Sequence, residues 1–220
     1  MLPLKIHIGK GKDPMPPKAK ITKAMILHTV LNITRETGFR TVNARSIANQ
    51  LQCSTRPIFT CYENMDELKR EFLDHAYEYY EQYVSGYQNL AKVPAHLVLP
   101  LSYIDFAQKE PCLFQCLFIE NMDLNMTVAA DFYQEADNEN RAKEFSGATG
   151  IELEKAKGIF LDLFLYSHGI AVLTVTKRMT LDTDSAEKMV TNVLTALIRQ
   201  EKPDWEIPVS YLKSERKRKS

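Results

Sequence analysis

The chain has 220 residues, of which 45% are hydrophobic and 25% are charged, with 28 basic and 28 acidic side chains. This length and composition are ordinary for a soluble protein that buries a sizeable core in one or two domains. The N-terminus is broken by glycine and proline and lacks the apolar segment of a secretory signal, so we expect no such signal. We expect a cytoplasmic protein with flexible tails over residues 1–17 and 206–220.

The charges are unevenly distributed along the chain. Residues 1–60 carry ten lysines and arginines against two acidic residues, whereas residues 61–212 carry thirteen against twenty-five. The last eight residues carry five basic side chains and one acidic side chain. Because basic segments attract phosphate and acidic ones repel it, a contact with nucleic acid is expected in the N-terminal part.

The first predicted helix ends near Thr37 and is followed by Gly38, a residue that commonly ends helices. Its apolar stripe consists of Ile26, Val30 and Ile33. Lys18 and Lys20 precede this helix. Lysines in this position either lie along a phosphate backbone or form a solvated arm, and the sequence leaves both interpretations open.

Residues 43–68 predict two short helices, a tight turn between them and the start of a third helix. Asn43 and Ser54 are good N-cap residues, and Pro57 suits the first turn of the second helix. Two helices that cross at such a turn form a helix-turn-helix, whose second helix enters the DNA major groove. That helix would present Thr55, Arg56, Phe59 and Thr60 outward. The alternative is an ordinary helical hairpin in an all-α core.

The remainder of the chain predicts a helical bundle without internal repeats. The predicted helices cover residues 65–85, 97–108, 111–122, 127–143, 152–178 and 184–200, and residues 145–150 are predicted as a loop. Asp184 and Glu187 have the spacing of a capping box at the start of the last helix. The fold class is therefore all-α.

The run of residues 159–175 is apolar on nearly every side. It is slightly short for a membrane span and contains Asp162, so we interpret it as a buried helix and expect no membrane partner. One face packs in the chain's own core, and the other must be buried against another surface. With the last helix it predicts a homodimer through four helices; a larger single core is the alternative. The predicted interface residues are Tyr166, Ile170, Leu173, Val190, Val193, Leu194 and Leu197.

Aromatic residues are frequent in the middle helices, where they either line an apolar ligand cavity or form plain core. The predicted ligand-binding residues are Tyr103, Phe106, Phe114, Phe118, Phe132, Phe164 and His168. A histidine on an apolar helix is also typical of a hydrogen-bonded core residue.

The four cysteines form no CxxC motif and are expected to be free thiols. Cys112 and Cys116 lie four residues apart, a spacing that suits a metal, a redox sensor or two small core residues, the last being favoured. The sequence contains no recognisable catalytic triad, phosphate-binding loop or metal-binding motif. We therefore predict no enzyme activity, no cofactor and no metal.

Residues 21–73 resemble the N-terminal domain of the TetR/AcrR family of bacterial transcriptional regulators. The resemblance is carried by ILHTVLNITRETGF (26–39), NARSIA (43–48) and CSTRPIFTCYENMDEL (53–68), in the family's order and spacing. The sequence departs from the family at Gln52, where glycine is usual, at Phe59, where a tyrosine is usual, and at Met65, which is often lysine. The rest of the chain matches in length and helical character.

The resemblance implies a three-helix helix-turn-helix domain over residues 18–68, followed by a helical effector-binding and dimerisation domain over residues 69–205. A homodimer would bind a double-stranded DNA operator and respond to a small-molecule effector, most commonly as a repressor. The implied DNA contacts are Lys18, Lys20, Asn43, Arg45, Thr55, Arg56, Pro57, Phe59 and Thr60. Two alternatives stay open: a helical dimer that has lost DNA binding and acts as an interaction module, and an all-α enzyme.

Overall fold

The computed structural model describes residues 20–91, 93–122, 124–134 and 136–206. Every regular element in these ranges is helical, which confirms the all-α prediction. The helices are α1 (Lys23–Thr37), α2 (Ala44–Gln50), α3 (Arg56–Cys61), α4 (Met65–Ala91), α5 (Ala95–Lys109), α6 (Pro111–Gln115), α7 (Ala136–Thr149), α8 (Leu153–Val175) and α9 (Thr183–Glu201). Lys18, residues 1–17 and all but the first residue of 206–220 lie outside these ranges.

The end of α1 and the start of α2 follow the predicted signals. Gly38 has a positive φ of 88°, and its N–H donates to the Thr34 carbonyl at 2.9 Å, which ends α1. A short 3-10 turn, Phe39–Thr41, follows. The Asn43 side chain then accepts from the N–H groups of Arg45 and Ser46 at 3.0 Å each, and Ser46 Oγ accepts from the Asn43 N–H. This reciprocal cap fixes the first residue of α2.

The turn between α2 and α3 requires a left-handed residue, and Gln52 occupies it with a φ of 52°. This conformation explains why glycine suits the position, since a Cβ atom adds strain there. The predicted N-cap at Ser54 is wrong. The residue that precedes α3 is Thr55, which forms no side-chain cap, because Pro57 in the first turn leaves fewer N–H groups to satisfy.

Helix α4 is longer than predicted, because the pattern weakens beyond residue 85 whereas the helix continues to residue 91. At its start, Asn64 Oδ1 accepts from the N–H groups of Asp66 and Glu67 at 3.0 and 2.9 Å. Helix α5 contains Pro100, which removes one backbone donor from the helix interior.

The predicted helix over residues 111–122 is divided in two. Helix α6 passes into a π-helical turn, Cys116–Glu120, which the Asn121 side chain closes by donating to the Cys116 carbonyl at 2.7 Å. A π turn widens the helix and often marks a functional region. The hydrophobic pattern of the sequence is the same for such a turn and for a continuous α-helix, so it does not distinguish them.

The predicted helix over residues 127–143 and loop over residues 145–150 are both wrong in their bounds. Residues Ala129–Gln134 form a 3-10 helix, and α7 runs on to Thr149. Gly147 lies inside α7, whereas Gly150, with a φ of 66°, ends it. The composition of the segment predicts a loop at both glycines, but only Gly150 has the left-handed backbone that ends a helix.

The ends of α8 and α9 are set by acidic caps. Glu152 precedes α8, and its carboxylate accepts from the Glu154 and Lys155 N–H groups. Asp182, rather than Asp184, caps α9, where its carboxylate accepts from the Ser185 N–H at 2.7 Å. The predicted capping box at Asp184 and Glu187 is therefore wrong, because the helix begins one residue earlier.

The described residues bury two hydrophobic clusters. The first cluster joins α1–α4 to one face of α5 and to α6 through Ile26, Ile47, Ile58, Leu68, Phe72, Phe106 and Phe114. The second cluster joins the other face of α5 to α7, α8 and α9 through Leu97, Ile104, Ala142, Phe160, Leu163, Val190 and Ile198. The first cluster continues across residue 68, where Leu68 and Phe72 are fully buried and the Phe72 ring stacks on Phe39 at 5.2 Å.

Helix α8 is long and apolar enough to cross a membrane by length and composition alone. The central helix of a soluble protein has the same properties, and α8 packs against α5, α7 and α9. Ile170, Val190 and Leu194 are 4%, 0% and 1% exposed in the single chain, where they belong to the second cluster. These three residues therefore leave the predicted dimer interface, because α8 and α9 turn them towards their own chain.

Candidate nucleic-acid interface and candidate effector cavity

The outer face of α3 carries most of the predicted DNA contacts. Arg56, Phe59 and Thr60 are exposed, with 48% of the Phe59 surface open to solvent, whereas Thr55 and Pro57 are half-buried. Ile58, on the opposite face, is fully buried and anchors α3 in the first cluster. The helix therefore separates an apolar inner face from an outer face that carries a guanidinium, an aromatic ring and a hydroxyl.

Two predicted contacts on α2 have different positions. Arg45 is exposed in the first turn of α2. Asn43 is also exposed, but its side chain is occupied by the helix cap and by a hydrogen bond donated to the Thr41 carbonyl at 2.9 Å. A structural role accounts for Asn43 without a DNA contact. Lys18 lies outside the described residues, and Lys20 is exposed immediately before α1.

Of the six basic residues in the described range 20–60, three form ion pairs with acidic residues later in the chain. Their ion pairs are Lys23 with Glu71 at 2.6 Å, Arg35 with Glu110 at 2.6 Å and Arg40 with Glu120 at 2.9 Å. Lys20, Arg45 and Arg56 form no ion pair with any described residue. These three cations are the ones left to neutralise phosphate.

The start of α4 is a poor phosphate site. Its first turn contains Met65, Asp66 and Glu67, of which the last two are acidic. Asn64 already caps the free N–H groups of this helix end, and Glu67 accepts from the Glu63 N–H at 2.6 Å. Two carboxylates at this end of the helix repel a DNA backbone.

A cavity of about 480 Å³, partly open to solvent, lies between α4, α5, the π turn, α7 and α8. Its apolar wall consists of Leu73, Tyr77, Tyr80, Leu99, Pro100, Tyr103, Leu117, Phe118, Met122, Leu124, Phe132, Phe160, Leu163 and Phe164. Its polar lining consists of Asp74, Asn121, Asp137, Asn138, Arg141 and Ser167. Volumes in this range are typical of sites for drug-sized molecules.

Four predicted ligand-binding residues line this cavity: Tyr103, Phe118, Phe132 and Phe164. Phe106 and Phe114 are fully buried in the first cluster and do not line it. His168 also lies behind the wall, where its ring stacks on Phe164 at 5.8 Å. Its Nδ1 forms a hydrogen bond with the Tyr103 hydroxyl at 2.9 Å.

The sequence prediction omitted the part of the cavity that α4 and α7 contribute. On α4, Leu73, Tyr77 and Tyr80 recur at the spacing of one helix face, which is a signal that the sequence did contain. On α7, Asn138 and Arg141 look like solvated residues in the sequence. They reach the cavity because Ala142 and Phe145 dock α7 in the second cluster.

Arg141 is held in the cavity wall by a carboxylate from α4. Its guanidinium donates to Glu81 Oε1 at 2.5 Å, and only 19% of the side chain is exposed. Asp74 and Asp137 form no ion pair with any described residue. The cavity therefore combines aromatic rings, one neutralised cation and two unneutralised carboxylates.

Two links join the cavity region to the N-terminal helices. Arg35 of α1 makes a double hydrogen bond to Glu110, which starts α6 and is 8% exposed. Tyr79 of α4 donates to the same carboxylate at 3.1 Å. At the other end of α6, the π turn places Phe118 in the cavity and Glu120 against Arg40.

The structure describes all four cysteines, and they differ in burial. All four are free, and Cys116 is buried, which raises the pKa of its thiol to about 12. A thiol with such a pKa is a poor nucleophile and a poor metal ligand near neutral pH. No group of histidine, cysteine and carboxylate side chains among the described residues has the arrangement of a metal site.

Burial lowers the pKa of both His96 and His168 below the ordinary value of 6.5. The folded state therefore favours the neutral imidazoles, and this stabilisation is complete above pH 6.5 and is lost as the pH falls through the lowered values. We therefore expect the melting temperature to fall as the pH drops below 6.5. The carboxylates of Asp131 and Asp182, whose pKa values are lowered from 3.8, lose their contribution only below pH 3.8.

Thermal melts from pH 8 to pH 4 check this expectation. The His168→Gln variant should show a shallower fall below pH 6.5, whereas His28→Gln, at an exposed position, should follow the wild type. Parallel curves for all three proteins would contradict the assignment to His168.

The chain matches no protein-family model and no curated protein. The likeness of residues 21–73 to a regulator family therefore stays a resemblance of sequence pattern, and the geometry of the α3 face and of the cavity carries the functional interpretation.

Proposed function

We propose that the chain is a sequence-specific DNA-binding transcriptional regulator, acting as a repressor, whose operator affinity is controlled by a small molecule. The observation that carries the proposal is the α2–turn–α3 unit. It presents an exposed Arg56, Phe59 and Thr60 on a short helix whose opposite face is anchored by the buried Ile58.

In the proposed complex, α3 enters the major groove. Arg56 lies at the start of this helix, from which side chains reach base edges, and an arginine pairs bidentately with guanine. Phe59 supplies an apolar surface that suits a thymine methyl group. Lys20 and Arg45 bind phosphates on either side, while the acidic remainder of the chain disfavours other orientations.

The proposed protein is a homodimer, so that two α3 helices meet two half-sites. The outward face of α8 carries Leu165 and Leu173, which are 51% and 40% exposed. Gly169 lies between them on the same face, with open space where a side chain would be, and so permits a second helix to approach closely. Tyr166, Val193 and Leu197 are half-buried and remain in the proposed interface.

The proposed effector binds in the cavity and acts through α6. Phe118 and Glu120 belong to one π turn, so a ligand that moves the ring also moves the carboxylate that pairs with Arg40. Arg35 and Glu110 form the second link between the same helix and α1. A change in the position of α1 alters the separation of the two α3 helices, which operator spacing holds to about one helical turn.

Selection of bound genomic fragments, followed by gel shifts of the enriched fragments over a salt series, tests the proposal. A dimer in which Lys20 and Arg45 of each protomer bind phosphates neutralises four of them. The logarithm of affinity should then fall against the logarithm of salt concentration with a slope of about −3.6. Failure to enrich any fragment at low salt would contradict DNA binding.

Phe59 favours one alternative, because an exposed aromatic residue is also typical of a protein-binding surface. A helical dimer that uses α3 to bind a protein would enrich no DNA fragment and would show no salt slope. The fragment selection therefore separates the two functions. Under the alternative, the Phe59→Ser variant should remain folded and lose the contact with the partner protein.

The link through Glu110 predicts a specific loss of regulation. Glu110→Gln keeps the shape of the side chain but removes its charge, and should lower the free energy of unfolding by about 1–2 kcal/mol, because the Arg35 partner is half exposed. Coupling between sites is typically 1–3 kcal/mol, and the variant should lose most of it.

The measurement is operator affinity with and without an effector identified by thermal shift. The matched control is Glu201→Gln, which removes the ion pair between Lys155 and Glu201, far from α1 and α6. A Glu110→Gln protein that keeps the full response to effector would show that regulation follows another route.

A further inference from the structure

We infer that the cavity binds an organic cation with a large apolar body, such as a quaternary ammonium or phosphonium compound. This inference rests on the effector site of the proposed function and names the chemical class of the effector. It follows from three properties of the cavity: its aromatic wall, its balance of charge and the position of its carboxylates.

Seven aromatic rings line the cavity: Tyr77, Tyr80, Tyr103, Phe118, Phe132, Phe160 and Phe164. They form a contiguous surface, because the Phe118 ring lies 4.8 Å from Tyr80 and 4.9 Å from Tyr103, and Phe132 lies 4.9 Å from Phe164. Aromatic rings provide dispersion for an apolar body, and their faces attract a cation that lacks a hydration shell.

The ionised groups of the wall leave a negative balance. Arg141 is the cation among the described lining residues, and Glu81 neutralises it through their ion pair at 2.5 Å. Asp74 and Asp137 remain without an ion pair among the described residues. A carboxylate in the first turn of α7 also suits the helix N-terminus, which accounts in part for Asp137, but Asp74 lies well inside α4 and has no such role.

The positions of these groups orient a ligand. Asp74 and Asp137 are exposed, and so is 38% of Tyr77, which places the three at the open side of the cavity. Phe132 and Leu163, at 1% and 2% exposure, form the closed side. An amphiphilic cation enters with its apolar body against the closed side and leaves its charge beside the two carboxylates.

The same geometry disfavours an anion. A ligand carboxylate would face Asp74 and Asp137 and would have to compete with Glu81 for the Arg141 guanidinium. Each unfavourable pairing raises the free energy of binding of an anion. A neutral apolar molecule avoids this repulsion but gains nothing from the carboxylates.

The test compares two ions of nearly the same size and shape, tetraphenylphosphonium and tetraphenylborate. Both are titrated into the full-length protein by calorimetry. A smaller pair, benzyltrimethylammonium and the neutral neopentylbenzene, is titrated in the same way in case the tetraphenyl ions are too large to enter the cavity. The wild type should bind the cation of each pair at least tenfold more tightly. The Asp74→Asn/Asp137→Asn variant should lose most of that preference while keeping the wild-type circular dichroism spectrum.

The control removes two exposed carboxylates elsewhere, Glu36→Gln/Asp204→Asn, because residues 61–212 are acidic and attract any cation. This variant has the same net charge as the cavity variant and should keep the wild-type preference. Equal affinity for cation and partner, tighter binding of borate, absence of binding by both pairs, or a preference that survives in the cavity variant would each overturn the inference.

A separate gel shift keeps this test distinct from that of the proposed function. Cation binding at Asp74 and Asp137 that leaves operator affinity unchanged would uphold the ligand class and contradict regulation. Operator binding without any cation preference would uphold the regulator and overturn the ligand class.

Discussion

The Arg56→Ala variant should bind the operator at least about 30-fold more weakly than the wild type. A bidentate arginine–guanine contact contributes roughly 1–3 kcal/mol, and a dimer loses it at both half-sites. Arg56 is exposed and makes no ion pair among the described residues, so the melting temperature should stay unchanged. Gel shifts or fluorescence anisotropy at matched salt measure the loss.

Three further variants define the role of Arg56. Arg56→Lys keeps the charge but not the planar fork, and should retain non-specific affinity while losing discrimination between operator and mutated operator. Arg45→Ala should weaken binding to all sequences alike and reduce the salt slope, as expected for a phosphate contact. Arg178→Ala, at an exposed position after α8, should have no effect. Wild-type affinity of Arg56→Ala would exclude α3 as the reading helix.

Leu165→Asp/Leu173→Asp should convert the protein to a monomer and reduce operator affinity by orders of magnitude. Both side chains are largely exposed in the single chain, so the change costs little in the folded monomer. In a four-helix interface, by contrast, it buries charges without partners, which costs several kcal/mol. A monomer also binds only one half-site and loses the contribution of the second α3 helix.

Sedimentation velocity at micromolar concentration measures the effect. Val128→Asp is the control, because Val128 is another exposed aliphatic residue, at 59%, and does not belong to α8 or α9. That variant should remain a dimer. A wild-type protein that sediments as a monomer would refute the dimer directly. Leu197, which also belongs to the proposed interface, is a weaker target for substitution because it packs on the second cluster.

Sequence patterns predicted best the features that short-range hydrogen bonds determine. Asn43 and Gly38 act within a few residues of their own positions, and the helix ends that they set were predicted correctly. Gly147 and Gly150 show the limit of this approach. Composition treats them alike, whereas a stop signal depends on the backbone conformation at each residue.

Features that depend on which helices pack together were predicted less well. Helix α8 is apolar on most sides, so periodicity did not distinguish the inward Ile170 from the outward Leu165. The cavity shows the same limit. Tyr103 on α5 and Phe164 on α8 were predicted, but Phe160 on α8 was not, and Arg141 on α7 looks like a surface residue until α7 is docked against α8.

The continuity of the first hydrophobic cluster across residue 68 restricts how such a regulator can evolve. Tyr80, Tyr103 and Phe118 line the cavity and also belong to the cluster that holds α1 and α3 in place. A mutation that adapts this wall to a new ligand therefore disturbs the packing of α1 and α3, the helices that we propose position the protein on DNA. Phe132 and Phe160 line another side of the cavity and belong to the second cluster. Lineages that acquire new effectors should therefore change Phe132 and Phe160 first.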